Sequence, residues 1–176
     1  MVYRGAERSN GYNFYTKSGH RDLIYLRQAV WEPGSGAGEA AILGLEDLYA
    51  EEEAVYAAHL ATYGCYGGFP PRRVGYWRQA MTAMIYDVIP QETVYMRFPA
   101  AGELRGYVLA GFRTGPHAAD TWAVQDLAGD PAAVRECLAT LGGMAAGQGR
   151  KVSLYLSHEH PWRDLCLALG FVDVAA

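Results

Sequence analysis

The chain has 176 residues, of which 51% are hydrophobic and 19% charged, and a net charge of −4. That length holds one domain with a real core, or one domain and a fragment, and the low charge excludes a disordered chain. With no excess of basic residues there is no electrostatic footprint for nucleic acid, and no apolar stretch approaches the ~18 residues that span a bilayer.

The N-terminus, MVYRGAERSNG, lacks the hydrophobic region of a secretion signal, so the expected location is the cytoplasm. Cysteine usage agrees. Cys65, Cys137 and Cys166 are an odd, widely spaced set without a C-x-x-C pair, which does not make a disulfide framework or a structural zinc site. They are expected to be reduced and mostly buried.

Residues 10–22, NGYNFYTKSGHRD, read as a short helical run, a glycine stop and the start of a strand, which is how a domain closes. LIYLRQAVW (23–31) follows as a strand, and GSGAG (34–38) is a linker-like run. From Leu45 the apolar positions Leu45, Leu48, Tyr49, Tyr56, Leu60 and Tyr63 recur at three- and four-residue steps. This spacing predicts one helix, with Glu51, Glu52 and Glu53 on its solvated face and Gly64 as a left-handed stop.

CYGGFPPRRVG (65–75) is loop by composition, and a second helix is expected from Tyr76 to Ala83. ETVYMRF (92–98), ELRGYVLAGFR (103–113) and TWAVQDL (121–127) are three strands, the first two forming a hairpin. Asp130-Pro131 then starts a helix, with aspartate as cap and proline at the first helical position. Its glycine pair at 142–143 costs roughly 1 kcal/mol per residue relative to alanine, which implies close packing there. KVSLYL (151–156) is a buried-type strand and HEHP a loop. PWRDLCLAL is a helix with Pro161 in its first position, stopped by Gly170 before the short strand FVDV. Three strands, then helix, strand, helix and strand, make a mixed α/β sheet covered by helices.

The two ends of the chain resemble one another. FYTKSGHRD (14–22) aligns with LCLALGFVD (165–173), matching Gly19 with Gly170, His20 with Phe171 and Asp22 with Asp173. The spacing is about one domain length. The expected organisation is therefore that residues 1–31 are the tail of one domain copy and residues 40–176 are a second. Without the rest of its own domain, the 23–31 strand should lie at a sheet edge or pair with another molecule, which would favour a homo-oligomer.

The pattern G-Y-N-F-Y-T-K-S-G-H (11–20) resembles the closing motif of the GNAT acetyltransferase superfamily. The strand order of 92–173, with G-Y-V-L at 106–109, is similar to the same fold, and L-Y-A-E-E-E…R-x-x-x-Y-W (48–77) resembles the second half of tandem GNAT proteins. The resemblance implies an α/β fold of the α+β type, with a mixed, largely antiparallel sheet and helices on both faces. It implies acyl transfer from acetyl-CoA, as cosubstrate, to a small-molecule or peptide amine, without a metal. Tyr15 matches the family's catalytic tyrosine, which protonates the departing thiolate; Arg8 stands where the family often has asparagine, and Cys166 is the counterpart of Tyr15 in the second copy. The cofactor loop belonging to Tyr15 would lie upstream of Met1.

The family's pyrophosphate-binding element, R/Q-x-x-G-x-G/A, is replaced here by L-A-G-D-P-A-A-V-R (127–135). Asp130 is expected to cap the helix itself, taking the free N–H groups and repelling a phosphate, while Pro131 removes another donor. Two readings of function follow: an N-acyltransferase with an incomplete or degenerate copy, or a catalytically silent domain of the same fold that binds a ligand or a protein partner. Cofactor-binding residues are not assigned. The aromatic-rich stretch from Tyr63 to Tyr76 is the place expected to line a substrate cleft, whereas His158-Glu159-His160 has no third metal ligand and reads as a polar loop.

Overall fold

A computed structural model describes residues 26–36, 38–66, 72–83, 92–113 and 121–174. In chain order these form β1 (Leu26–Trp31), β2 (Ala41–Leu43), α1 (Leu45–Ala50), α2 (Glu52–Tyr63), α3 (Tyr76–Ala83), β3 (Glu92–Phe98) and β4 (Gly106–Arg113). They continue with β5 (Thr121–Gly129), α4 (Pro131–Gly147), β6 (Lys151–Ser157), α5 (Arg163–Leu169) and β7 (Val172–Asp173).

All the described strands join one sheet, seven-stranded among the described residues, in the order β2-β3-β4-β5-β6-β1-β7. β2 through β5 are antiparallel neighbours. The β5–β6 pair is parallel, with α4 as the crossover between them. The mixed, largely antiparallel α/β sheet expected from the sequence is therefore what forms.

Residues paired across neighbouring strands share a face, so the register sorts the side chains. Tyr95 opposes Leu109 and Arg97 opposes Tyr107. This face is covered by α1, α2 and α3: Tyr95 Oη donates to Glu51 Oε1 (2.5 Å) and the Arg97 guanidinium pairs with the same carboxylate. The other face carries α4. A Cβ on Gly106 would lie 2.8 Å from the Ala133 side chain, and Cys137 Sγ sits 3.7 Å from the carbonyl oxygens of Met96 and Gly106. The expected close packing at the glycine pair is real, because a Cβ on Gly142 would fall 2.2 Å from the Trp31 ring.

Several expectations need correction. The helix expected over 45–63 is two helices, broken at Glu51 (φ −115°, ψ 25°). Glu51 and Glu52 are not on a solvated face: Glu51 serves Tyr95 and Arg97, while Glu52 is buried and accepts the Trp77 backbone N–H at 3.1 Å. Gly64 ends α2 in a right-handed conformation (φ −63°). Its lack of a side chain answers a close approach instead, since a Cβ would meet the Leu60 carbonyl oxygen at 2.6 Å.

Just after the linker-like run the chain is pinned to α4, where Thr140 Oγ1 accepts the Ala40 N–H at 3.1 Å. The segment after it forms β2, a strand the composition did not announce. Pro161 precedes α5, which begins at Arg163. The largest correction concerns the 23–31 strand. Its described part, β1, is not at an edge: it pairs with β6 over six residues and with β7 on its other side. Interior placement suits its composition, because Ala29 is fully buried between Leu154 and Asp173.

Candidate functional site

One inserted residue organises the α2 face. Val124 opposes Ala110 and Asp126 opposes Leu109, so Gln125 is an extra residue in β5. Such a bulge re-aims whatever follows it. Without it Asp126 would turn toward α4; with it Asp126 joins Tyr107 and Leu109 under α2. The carboxylate is buried, at 7% exposure.

Its Oδ2 accepts from the Arg72 guanidinium, from Trp77 Nε1 (2.8 Å) and from Tyr107 Oη (2.8 Å). An isolated charge would be very costly here, and these donors are what make it tolerable. The Arg72 guanidinium also lies over the Tyr76 and Trp77 rings, 4.7 and 5.3 Å from their centroids. Burial and the neighbouring Asp126 charge push the Tyr107 hydroxyl well above its ordinary range.

His59 borders the same carboxylate, with Nδ1 3.9 Å from Asp126 Oδ1 and no hydrogen-bond partner among the described residues. Burial first, and the Arg72 charge second, push it down to about 4, so the imidazole is neutral at pH 7. At that separation one donor placed between the two atoms could bond to both. His160, near Tyr63 with ring centroids 6.1 Å apart, is likewise pushed down by burial to about 4.

Beside this cluster the sheet opens. β5 and β6 pair only from Thr121–Lys151 to Ala123–Ser153, and they part as the bulge begins. Past that point β5 bonds to α2 instead of β6. Thr62 Oγ1 accepts the Gly129 N–H (2.9 Å), and Tyr63 Oη donates to the Leu127 carbonyl oxygen (2.6 Å). Trp162 Nε1 then donates to Tyr63 Oη at 2.9 Å, which fixes the phenol from the far side. Both amide atoms of Gln125 are buried at the parting without a hydrogen-bond partner among the described residues.

Asp130 follows β5 at the start of α4, but it does not cap the helix as expected. It makes no side-chain cap bond, and its Oδ2 accepts from Arg105 Nε (2.9 Å) and Nη2 (2.8 Å). The charge at the helix start is thus matched by an exposed arginine.

Tyr15, the expected catalytic acid, lies outside the described residues. Its counterpart Cys166 is fully buried, and burial pushes its thiol up to about 12, so it stays protonated at neutral pH and away from solvent. Within the expected cleft stretch, Tyr63, Arg72 and Tyr76 do come to the cluster, while 67–71 are outside the described residues. Sequence reasoning missed Asp126, His59 and Thr62. The available signal was Asp126 itself, an acid inside the apolar strand run TWAVQDL. Among the described residues no group of three or more His, Cys, Asp or Glu could hold a metal ion, and no helix is long and apolar enough to cross a membrane.

No protein-family profile matches the chain, and no curated protein matches it. Solved structures do. A GNAT-family acetyltransferase from Colwellia psychrerythraea matches 94% of this chain and 60% of its own length, with a TM-score of 0.51 and 12% identity. A GCN5-related N-acetyltransferase from Anabaena variabilis matches 93% of this chain and 41% of its own length, at TM-score 0.56 and 13% identity. A tandem GNAT protein from the clavulanic acid biosynthesis pathway matches 98% of this chain and 58% of its own length, at TM-score 0.52 and 17% identity. The chain therefore spans about two fifths to three fifths of the length of these structures. Its fold is that of the GNAT acetyltransferases, the fold a tandem GNAT protein also carries.

Proposed function

We propose that this sequence serves an acyl-CoA-dependent N-acyltransferase that transfers an acetyl group to a small-molecule or peptide amine. In this reading Tyr15 is the acid of a preceding copy whose tail is residues 1–31, and residues 40–176, with β1 of that tail built into their sheet, are a degenerate second copy. The observation that carries it is the fold: a mixed sheet whose parallel strands β5 and β6 separate after three paired residues. Fold likeness supports the reaction class and leaves the acceptor to experiment. The free thiols of Cys65, Cys137 and Cys166 suit a reducing, cytoplasmic compartment.

Residues 40–176 do not fit an acyl-CoA as they stand. Gln125 offers an unpartnered amide, but the adjacent backbone of β5 is already bonded by α2, and Asp130 stands at the start of α4. The same observation favours a second reading, a silent unit of this fold that binds a ligand or a protein partner. The discriminating experiment is amine-dependent release of thiol from acetyl-CoA by the full-length gene product. Tyr15→Phe should lower that release about a hundredfold, the lower end of what a positioned acid contributes. Release unaffected by the substitution would remove Tyr15 from the chemistry, and no release with any primary amine would favour the silent unit.

A further inference from the structure

We infer that the last turn of α2 is a built-in occupant of the parting between β5 and β6, and that it keeps acyl-CoA out of this unit. The inference rests on the acyl-CoA reading above. The arm of coenzyme A is an extended chain carrying amides, and such a chain binds a strand edge through that strand's unpaired N–H and C=O groups. In this chain two of those groups are taken. The Gly129 N–H goes to Thr62 and the Leu127 carbonyl oxygen goes to Tyr63.

Tyr63 is 4% exposed and held by Trp162 Nε1, so the contact is a packed one and not a passing surface bond. A ligand displacing it would take away the acceptor of the buried Trp162 donor, and such a loss is unfavourable. The two caps come from adjacent residues of one helix, so they would have to be released together. The start of α4 adds little counter-attraction, because Pro131 has no N–H and Arg105 is engaged by Asp130.

The test uses the 176-residue chain with millimolar acetyl-CoA, followed by thermal denaturation, beside a Thr62→Ala/Tyr63→Ala variant. The natural sequence should show no shift and the variant a rise of about 5–10 °C, as expected for tight binding to a protein of this size. A comparable rise in the natural sequence overturns the inference, and so does a folded variant that shows none. Hydrogen exchange at the Gly129 amide in Thr62→Val, which keeps the side-chain shape, needs no cofactor. At least tenfold faster exchange supports the cap; unchanged exchange overturns it. Where that amide does exchange faster and the double variant still ignores acetyl-CoA, the cap is real but the inference that it excludes acyl-CoA falls, together with the acyl-CoA reading on which it rests.

Discussion

Asp126 sits inside a strand where an apolar residue would be the simpler choice, and the surrounding side chains are arranged around its charge. His59 is a buried neighbour of that arrangement, and its imidazole stays neutral next to both Asp126 and Arg72. His59 and His160 are both held near 4, below the ordinary value of 6.5. The unfolded chain therefore takes up protons first as pH falls. Their stabilising effect is complete above about pH 6.5 and is lost as pH drops toward 4, on the order of 2–3 kcal/mol for each histidine. Urea midpoints measured between pH 7.5 and 4.5 should fall steeply, and the slope should flatten in a His59→Gln/His160→Gln variant. An equally steep slope in that variant would place the acid sensitivity in the carboxylates. Little of this was readable beforehand. His59 lies on a helix whose apolar stripe is clear, but its burial depends on Asp126, and Asp126 faces α2 only because Gln125 is extra. A bulge is a property of two strands in register, and a single strand's sequence does not reveal it.

At the level of elements, the sequence was most informative where one segment decides its own shape. α3, β3 and α4 start where local chemistry places them, with Pro131 at the first position of α4. It was least informative where a distant partner decides. The break between α1 and α2 is set by Glu51 reaching Tyr95 and Arg97, and β2 exists because β3 offers it an edge. The close approach of β1 to α4 is a case where local and tertiary preferences oppose each other. Alanine at position 142 would favour the helix by roughly 1 kcal/mol, yet its Cβ would overlap the Trp31 ring. Overpacking typically costs about 1–3 kcal/mol, so Gly142→Ala should be destabilising by chemical denaturation. A stabilised protein would mean that Trp31 has room to swing away, and Trp31 fluorescence in the variant would register that movement.

For the molecule as a whole, β1 is the element that changes the picture most. The sequence correctly suggested a strand, but its repeat led to an edge position, whereas the sheet holds it between β6 and β7. Among the described residues the outermost strands, β2 and β7, have three and two residues, and short edges of this kind discourage association through the sheet. If β1 were a detachable tail, breaking it would leave residues 40–176 intact. Ala29→Pro should instead abolish cooperative unfolding, because proline removes a ladder donor at a fully buried position and disturbs both neighbours. A sharp two-state transition of undiminished midpoint in this variant would restore the detachable tail.

The same placement also sets an order in time. Leu26 pairs with Ser157 and Trp31 with Val152, so β1 must wait for a strand that leaves the ribosome much later. Until β6 emerges, β1 has no partner on that side, and β7 later still depends on β1 for its pairing. Contacts so far apart along the chain close slowly, which places refolding in the millisecond-to-second range typical of non-local sheets. During that interval the apolar run through Ala29 and Val30 is open to other chains, and the protein is at its most vulnerable to aggregation before it is complete.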